Sequence, residues 1–268
     1  MYEEPYRWVE AVGNRRTYLD EQFKQGSPVV ALACEPGILL LTVSRGTPKL
    51  YEIYDRLALG GMGHPADLEK LRFSFLEMAH VEGFNRSPSD VTGGRMVKYG
   101  IAPLIKQAFE EVFKAPFIVK LLLAELGLKA GKDQFLVINY DGTFEEGTHC
   151  AVLAAHRGIE QEMVTFLRAQ SPQPLPLDRA VAAALSAWAL GDHLQAKGRA
   201  AEEENQEAVP PAPVDRATLH AHVRQSVKEK TIECVLLDRE QPGTSKYRAL
   251  KPDDLGRLLP GEMKPSLA

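Results

Sequence analysis

Apolar positions are sparse over the first 25 residues, with Trp8, Val9, Val12, Leu19 and Phe23 set among charged neighbours. Their loosely helical spacing predicts an amphipathic N-terminal helix ending near Gly26. Two nearly unbroken apolar runs follow, Val29 to Cys34 and Ile38 to Val43, split by Glu35-Pro36-Gly37. Pro then Gly at the centre of four residues predicts a type II turn, and so a buried hairpin. Leu50, Ile53, Leu57 and Leu59 predict a further strand pair across Lys49 to Gly61. His64-Pro65 then opens a helix with a stripe of Leu68, Leu71, Phe75 and Met78, capped at Gly83. A second helix is predicted from Ser89-Asp90 to about Phe113, kinked at Pro103.

Beyond Phe113 the spacing changes again. Phe117 to Leu126 and Phe135 to Tyr140 read as strands, Asp141-Gly142 as a hairpin turn, and Phe144 and Ala151 to Leu153 as continuing the sheet. Arg157 to Arg168 returns to helix, and Asp178 is expected to cap an Ala-rich helix to about Leu190. Residues 191–229 carry a charge run from Arg199 and the stretch Val209-Pro-Pro-Ala-Pro-Val, expected as a mobile acidic, Pro-rich insertion with a short helix near Asp215 to Val227. Ile232 to Leu237 and Tyr247 to Leu250 return as strands, with a short helix near Pro252 to Leu259 and a frayed tail after it. Strands, two helices, strands, two helices, strands is the order of an α+β fold. It predicts a four-layer αββα sandwich, two antiparallel sheets flanked by helices, spanning 26–268 behind an N-terminal helical segment, 1–25.

Composition narrows the function. The chain has 268 residues, 44% hydrophobic and 25% charged, enough for a sizeable core without disulfides. Its net charge of −4 gives no electrostatic case for nucleic acid or an anionic membrane as partner. No apolar run approaches the roughly 18–20 residues of a membrane span, and the start lacks the order of a signal peptide. Cys34, Cys150 and Cys234 lie far apart beside apolar residues, so buried reduced thiols in a cytoplasmic protein are expected. His220 and His222 are two apart and face different ways on a helix, which argues against a zinc site with His193. His149 and Cys150 are adjacent on a strand and so cannot work as base and nucleophile. The glycines of Leu59-Gly-Gly-Met-Gly lack phosphate-loop spacing and read as points of close approach between elements. No cofactor is expected.

The stretch Gly26-Ser-Pro-Val-Val-Ala-Leu-Ala-Cys-Glu-Pro-Gly-Ile-Leu-Leu-Leu, then Lys49-Leu-Tyr-Glu-Ile-Tyr-Asp-Arg, then Gly63-His-Pro-Ala-Asp-Leu-Glu-Lys-Leu, resembles the core-particle subunits of the proteasome. The likeness continues through Asp90-Val-Thr-Gly, Val119 to Glu125 and Ile232-Glu-Cys-Val-Leu-Leu-Asp-Arg, and is nearest to bacterial, actinobacterial-like α-type subunits. It implies the N-terminal nucleophile hydrolase sandwich, the same four-layer order. In the catalytic β-type subunits a threonine freed by cleavage after glycine is the nucleophile, tuned by an aspartate and a lysine. Here the junction is Gly26-Ser27, Pro28 follows it, the aspartate position falls at Val43, and only the lysine, Lys49, is retained. A non-catalytic α-type subunit is therefore expected, with self-processing at Ser27 or a stand-alone binding module as alternatives.

The same resemblance implies partners. They are copies of itself in a heptameric outer ring, a β-type peptidase ring beneath, a ring ATPase or other activator, and protein substrates in transit. Lys49 would pair with the C-terminal carboxylate of the activator tail, and the backbone at Gly63 would lie beside it. The Tyr-Asp-Arg gate of archaeal and eukaryotic relatives is missing near the start, and Tyr54-Asp55-Arg56 falls in a strand region instead.

Overall fold

The computed structural model describes residues 5–111, 113–171, 173–203 and 214–263. Helix α1 (Pro5–Phe23) leads into a hairpin of β1 (Val29–Cys34) and β2 (Gly37–Ser44), and a second of β3 (Leu50–Tyr54) and β4 (Leu57–Gly63). Next come α2 (Pro65–Asn85), α3 (Gly93–Met96), α4 (Ala102–Glu110) and strands β5 (Val119–Glu125), β6 (Gln134–Ile138), β7 (Phe144–Gly147) and β8 (Cys150–Leu153). The chain then runs through α5 (Arg157–Gln170), α6 (Leu177–Glu203), α7 (Arg216–Ser226), β9 (Thr231–Asp238), β10 (Tyr247–Ala249) and α8 (Pro252–Leu258). One sheet has the order β10-β9-β2-β1-β8 and the other β3-β4-β5-β6-β7, with every named pair antiparallel.

Alternation along β1 and β2 separates the layers. Val30, Leu32, Leu39 and Leu41 face outward to α5, α6 and α7, where Trp188 is fully buried. Val29, Ala31, Ile38 and Leu40 face inward to Met62, Leu122 and Phe135 of the second sheet. On that sheet's far side Leu59, Leu121 and Leu123 meet Leu71, Phe75, Ile101 and Ile105 of the α2–α4 layer. Because both faces of β1 and β2 are covered, each strand is buried throughout, which is why each reads as a continuous apolar run. The four layers are those expected.

Helix α1 closes one side of the sandwich. Leu19 and Phe23 join the core between the sheets, while Trp8 and Val9 stay exposed, so only its C-terminal half packs inward. Phe23 stacks on Tyr140 at 5.8 Å between ring centres, and Tyr140 donates to Asp20 at 3.0 Å. Arg15 donates to the carbonyls of Ala108, Phe109, Glu111 and Lys114, clamping α1 to the frayed end of α4.

Several local expectations are corrected. The first hairpin turns on Glu35 and Pro36, and Gly37 already pairs with Cys34 at a φ of 151°. A Cβ at Gly37 would lie 2.0 Å from the Leu237 carbonyl oxygen, so close strand approach, and not a type II turn, requires the glycine. Helix α2 runs past Gly83 to Asn85. The second helix starts at Gly93, not at Ser89-Asp90, and ends at Glu110. A wide π turn at Val97–Ile101 separates α3 from α4, and Pro103 then sits in the first turn of α4, where its missing N–H costs no helical bond. Phe113 lies outside α4 and is 97% exposed; Val112 is outside the described residues.

The Ala-rich helix does not stop near Leu190 but reaches Glu203, with Asp178 in its first turn. Polar side chains on the extension turn inward. Gln195, 3% exposed, donates to the Gly26 carbonyl and accepts from Ala155 N–H, and Arg199 donates to the Lys24 carbonyl. Asp215 caps α7 by accepting from Thr218 N–H at 3.0 Å, as the short helix there requires. The Pro-rich stretch up to residue 213 and the tail past Met263 lie outside the described residues.

Candidate functional site

At one end of the sandwich the chain enters β1 and β3 and leaves β2 and β4, and a cavity of about 530 Å³ opens there. Its lining brings together Ser27, Val43, Lys49 and Gly63, the residues singled out from sequence, with the neighbouring Arg45 and, from distant segments, Asp192, Arg199 and Lys230.

Ser27 is held from both sides. Its Oγ donates to the Val43 carbonyl at 2.6 Å and accepts from Trp188 Nε1 at 2.9 Å. Both the proton and a lone pair are thereby committed to structural bonds. Upstream, the Gly26 N–H donates to the Phe23 carbonyl and the Gly26 carbonyl accepts from Gln195. Val43 itself is fully buried and contributes only its carbonyl.

Lys49 is placed by Glu233 of β9. The Glu233 carboxylate accepts from the Lys49 N–H at 3.0 Å and the Leu50 N–H at 2.9 Å, which fixes the start of β3. Among the described residues the Lys49 ammonium itself has no hydrogen-bond or ion-pair partner. Burial holds its pKa below 10.5, and Glu233 pulls the other way. Burial likewise raises Glu233, against the two amide bonds. Gly63 ends β4 with a φ of 131°, and a Cβ there would lie 1.9 Å from the Ile118 carbonyl oxygen. Only glycine lets the strand end pass so close to β5.

On the opposite wall Asp192 accepts from His222 Nε2 at 2.8 Å and stands 3.6 Å from Lys230 Nζ. Burial works to raise the Asp192 carboxyl, but His222 and Lys230 outweigh it and hold the group below its usual range. His193 packs edge-on to His222 at 5.6 Å, and His220 pairs with Glu262. Among the described residues no group of three or more His, Cys, Asp and Glu is placed to hold a metal, and no helix is long and apolar enough to cross a membrane. His149 bonds to Ser171 and not to Cys150, and all three cysteines are buried and free.

Sequence reasoning missed Glu233, Asp192, Arg199 and Lys230. Glu233 had one signal, a carboxylate inside the apolar strand Ile232 to Leu237. Arg199 had none, since it opens what reads as a solvated charge run.

No protein-family model matches the chain. Individual relatives do. A protein named proteasome subunit alpha from Streptosporangium roseum is 30% identical over 191 residues, covering 68% of this chain and 71% of its own. One of the same name from Actinosynnema mirum is 27% identical over 248 residues, 92% and 83% of the two chains. Another from Paenarthrobacter aurescens is 26% identical over 254 residues, 93% and 94%.

Proposed function

The chain belongs to the proteasome α-subunit family, and from that premise we propose that it is the non-catalytic outer-ring subunit of a bacterial proteasome core particle in the cytoplasm. It forms a heptameric ring with copies of itself, templates a β-type peptidase ring, restricts the entry of protein substrates, and docks the C-terminal tail of a ring ATPase or other activator. Neither nucleic acid nor membrane has a part in this role.

The observation that carries docking is the Lys49 ammonium, which lines a cavity with no hydrogen-bond or ion-pair partner among the described residues while Glu233 fixes the backbone beneath it. An unpaired, half-buried ammonium is costly unless an anion meets it, and a terminal carboxylate supplies two acceptor oxygens. Gly63 lines the same cavity, where a tail's main chain would lie beside it. Support for a non-catalytic role comes from Ser27, whose hydroxyl is committed to Val43 and Trp188. Self-processing would have to break those bonds as well as the peptide bond.

Lys49→Ala, assembled with the β-type partner, is expected to lose activator-stimulated protein degradation while assembly and small-peptide hydrolysis remain. Undiminished stimulation refutes the docking role.

A further inference from the structure

Four cations line the Lys49 cavity, Arg45, Lys49, Arg199 and Lys230, against one carboxylate, Asp192. None of the four is hydrogen-bonded to a carboxylate among the described residues. Lys49 has no partner, Arg45 lies 3.9 Å from Glu229, Arg199 donates to a backbone carbonyl, and Lys230 Nζ stands 3.6 Å from Asp192. Asp192 is itself already bonded to His222 at 2.8 Å. Lys230 is close enough to Lys49 to disfavour its charge, so the two ammonium groups repel across the cavity.

A single terminal carboxylate would answer Lys49 and leave Lys230 with only its 3.6 Å approach to Asp192, a carboxylate that His222 already shares. Lys230 is the group best placed to select a second anion. Its side chain is only 22% exposed, and its ammonium sits 5.6 Å from the centre of the Trp188 ring, which fixes its position. Partial burial lowers the screening that makes open surface pairs nearly neutral. The start of α2 does not compete for the anion. Pro65 has no N–H, the His64 N–H donates to the Ile118 carbonyl, and the Ala66 N–H donates to His64 Nδ1. Recognition therefore falls to the side-chain cations.

We propose that this cavity selects peptide tails bearing two anionic groups, the terminal carboxylate at Lys49 and an aspartate or glutamate side chain within the last few residues at Lys230, with Arg199 beside it. The inference rests on tail docking and adds the class of tail. It makes Lys230 a specificity residue, distinct from the anchor at Lys49.

The test uses the full-length protein assembled with its β-type partner. Fluorescence anisotropy with labelled eight-residue peptides would compare a neutral tail and one with a penultimate glutamate, each as free acid and as C-terminal amide. The acidic free acid is expected to bind about tenfold tighter than the neutral free acid. That preference should vanish in Lys230→Met and survive in Lys230→Arg, which keeps the charge. Equal binding of the two free acids, both lost in Lys49→Ala, would overturn the second anion and leave tail docking standing. Amides that bind as well as the free acids would overturn tail docking and this proposal with it. Displacement of both peptides to the same degree by millimolar inorganic phosphate, with no preference between them, would mark a simple anion site and also overturn it.

Discussion

Lys49 shows how one residue can serve a site while burdening the fold. Its ammonium is half-buried and unpartnered, and burial depresses its pKa below 10.5. Between the depressed value and 10.5 the unfolded chain holds a proton that the folded chain has released. Stability from this group therefore rises as pH climbs through that interval, and below it the charge is a standing cost. Compared with Lys49→Met, the wild-type chain should gain unfolding free energy as pH is raised toward 10.5. Urea unfolding of both proteins across the alkaline range measures the gap. A gap that stays constant would mean that Lys49 keeps an ordinary pKa, and one that moves the other way that its pKa is raised. Glu233 has the opposite sign, because burial raises its carboxyl: the stability it contributes is complete below its unfolded value and lost as pH rises through the folded one.

At the scale of elements, α1 is held at two points. Leu19 and Phe23 enter the core, and Arg15 satisfies carbonyls that the end of α4 leaves open. The sandwich behind it has its own inter-sheet contacts, so release of α1 is local. Arg15→Ala should speed protease cleavage within α1 by about tenfold or more, while thermal unfolding of the remaining sandwich changes little. Limited proteolysis with mass readout tests this, and an unchanged cleavage rate would show the apolar contacts alone to be sufficient. The ends of α1 and β2 were legible because each apolar pattern stops where its packing partner stops. The end of α6 was not, because its last turns are held by Gln195 and Arg199 bonding to carbonyls of Gly26 and Lys24, residues remote in sequence. The wide turn at Val97–Ile101 was equally hidden, since Pro103 predicts a disturbance but not its form.

For the whole molecule, a closed ring of identical chains needs one surface patch to fit a different patch on the next copy. Helix α1 presents Trp8, Val9 and Tyr18 outward, roughly half exposed or more. Deleting residues 2–25 is expected to prevent ring assembly. Native mass spectrometry of the full-length protein should show about seven copies of 29.6 kDa, and of the deletion variant only small species. Intact rings from the deletion variant would assign the contact elsewhere.

The layers were determined by sequence alone, because a strand covered on both faces must be apolar at every position and a helix on one face only at every third or fourth. The expectation that Lys49 and Gly63 work together, and that Val43 stands at an acid's place, came from the family resemblance and not from the residue pattern. What the tertiary structure decided is the charge of the cavity. Asp192 and Arg199 come from α6, Lys230 from the approach to β9 and Glu233 from β9 itself, more than 140 residues beyond Lys49. Electrostatic fields act through space and not along the chain, so no local pattern records which charges will face one another. The Ser27 hydroxyl makes the same point: its commitment to Trp188 depends on a contact 161 residues away.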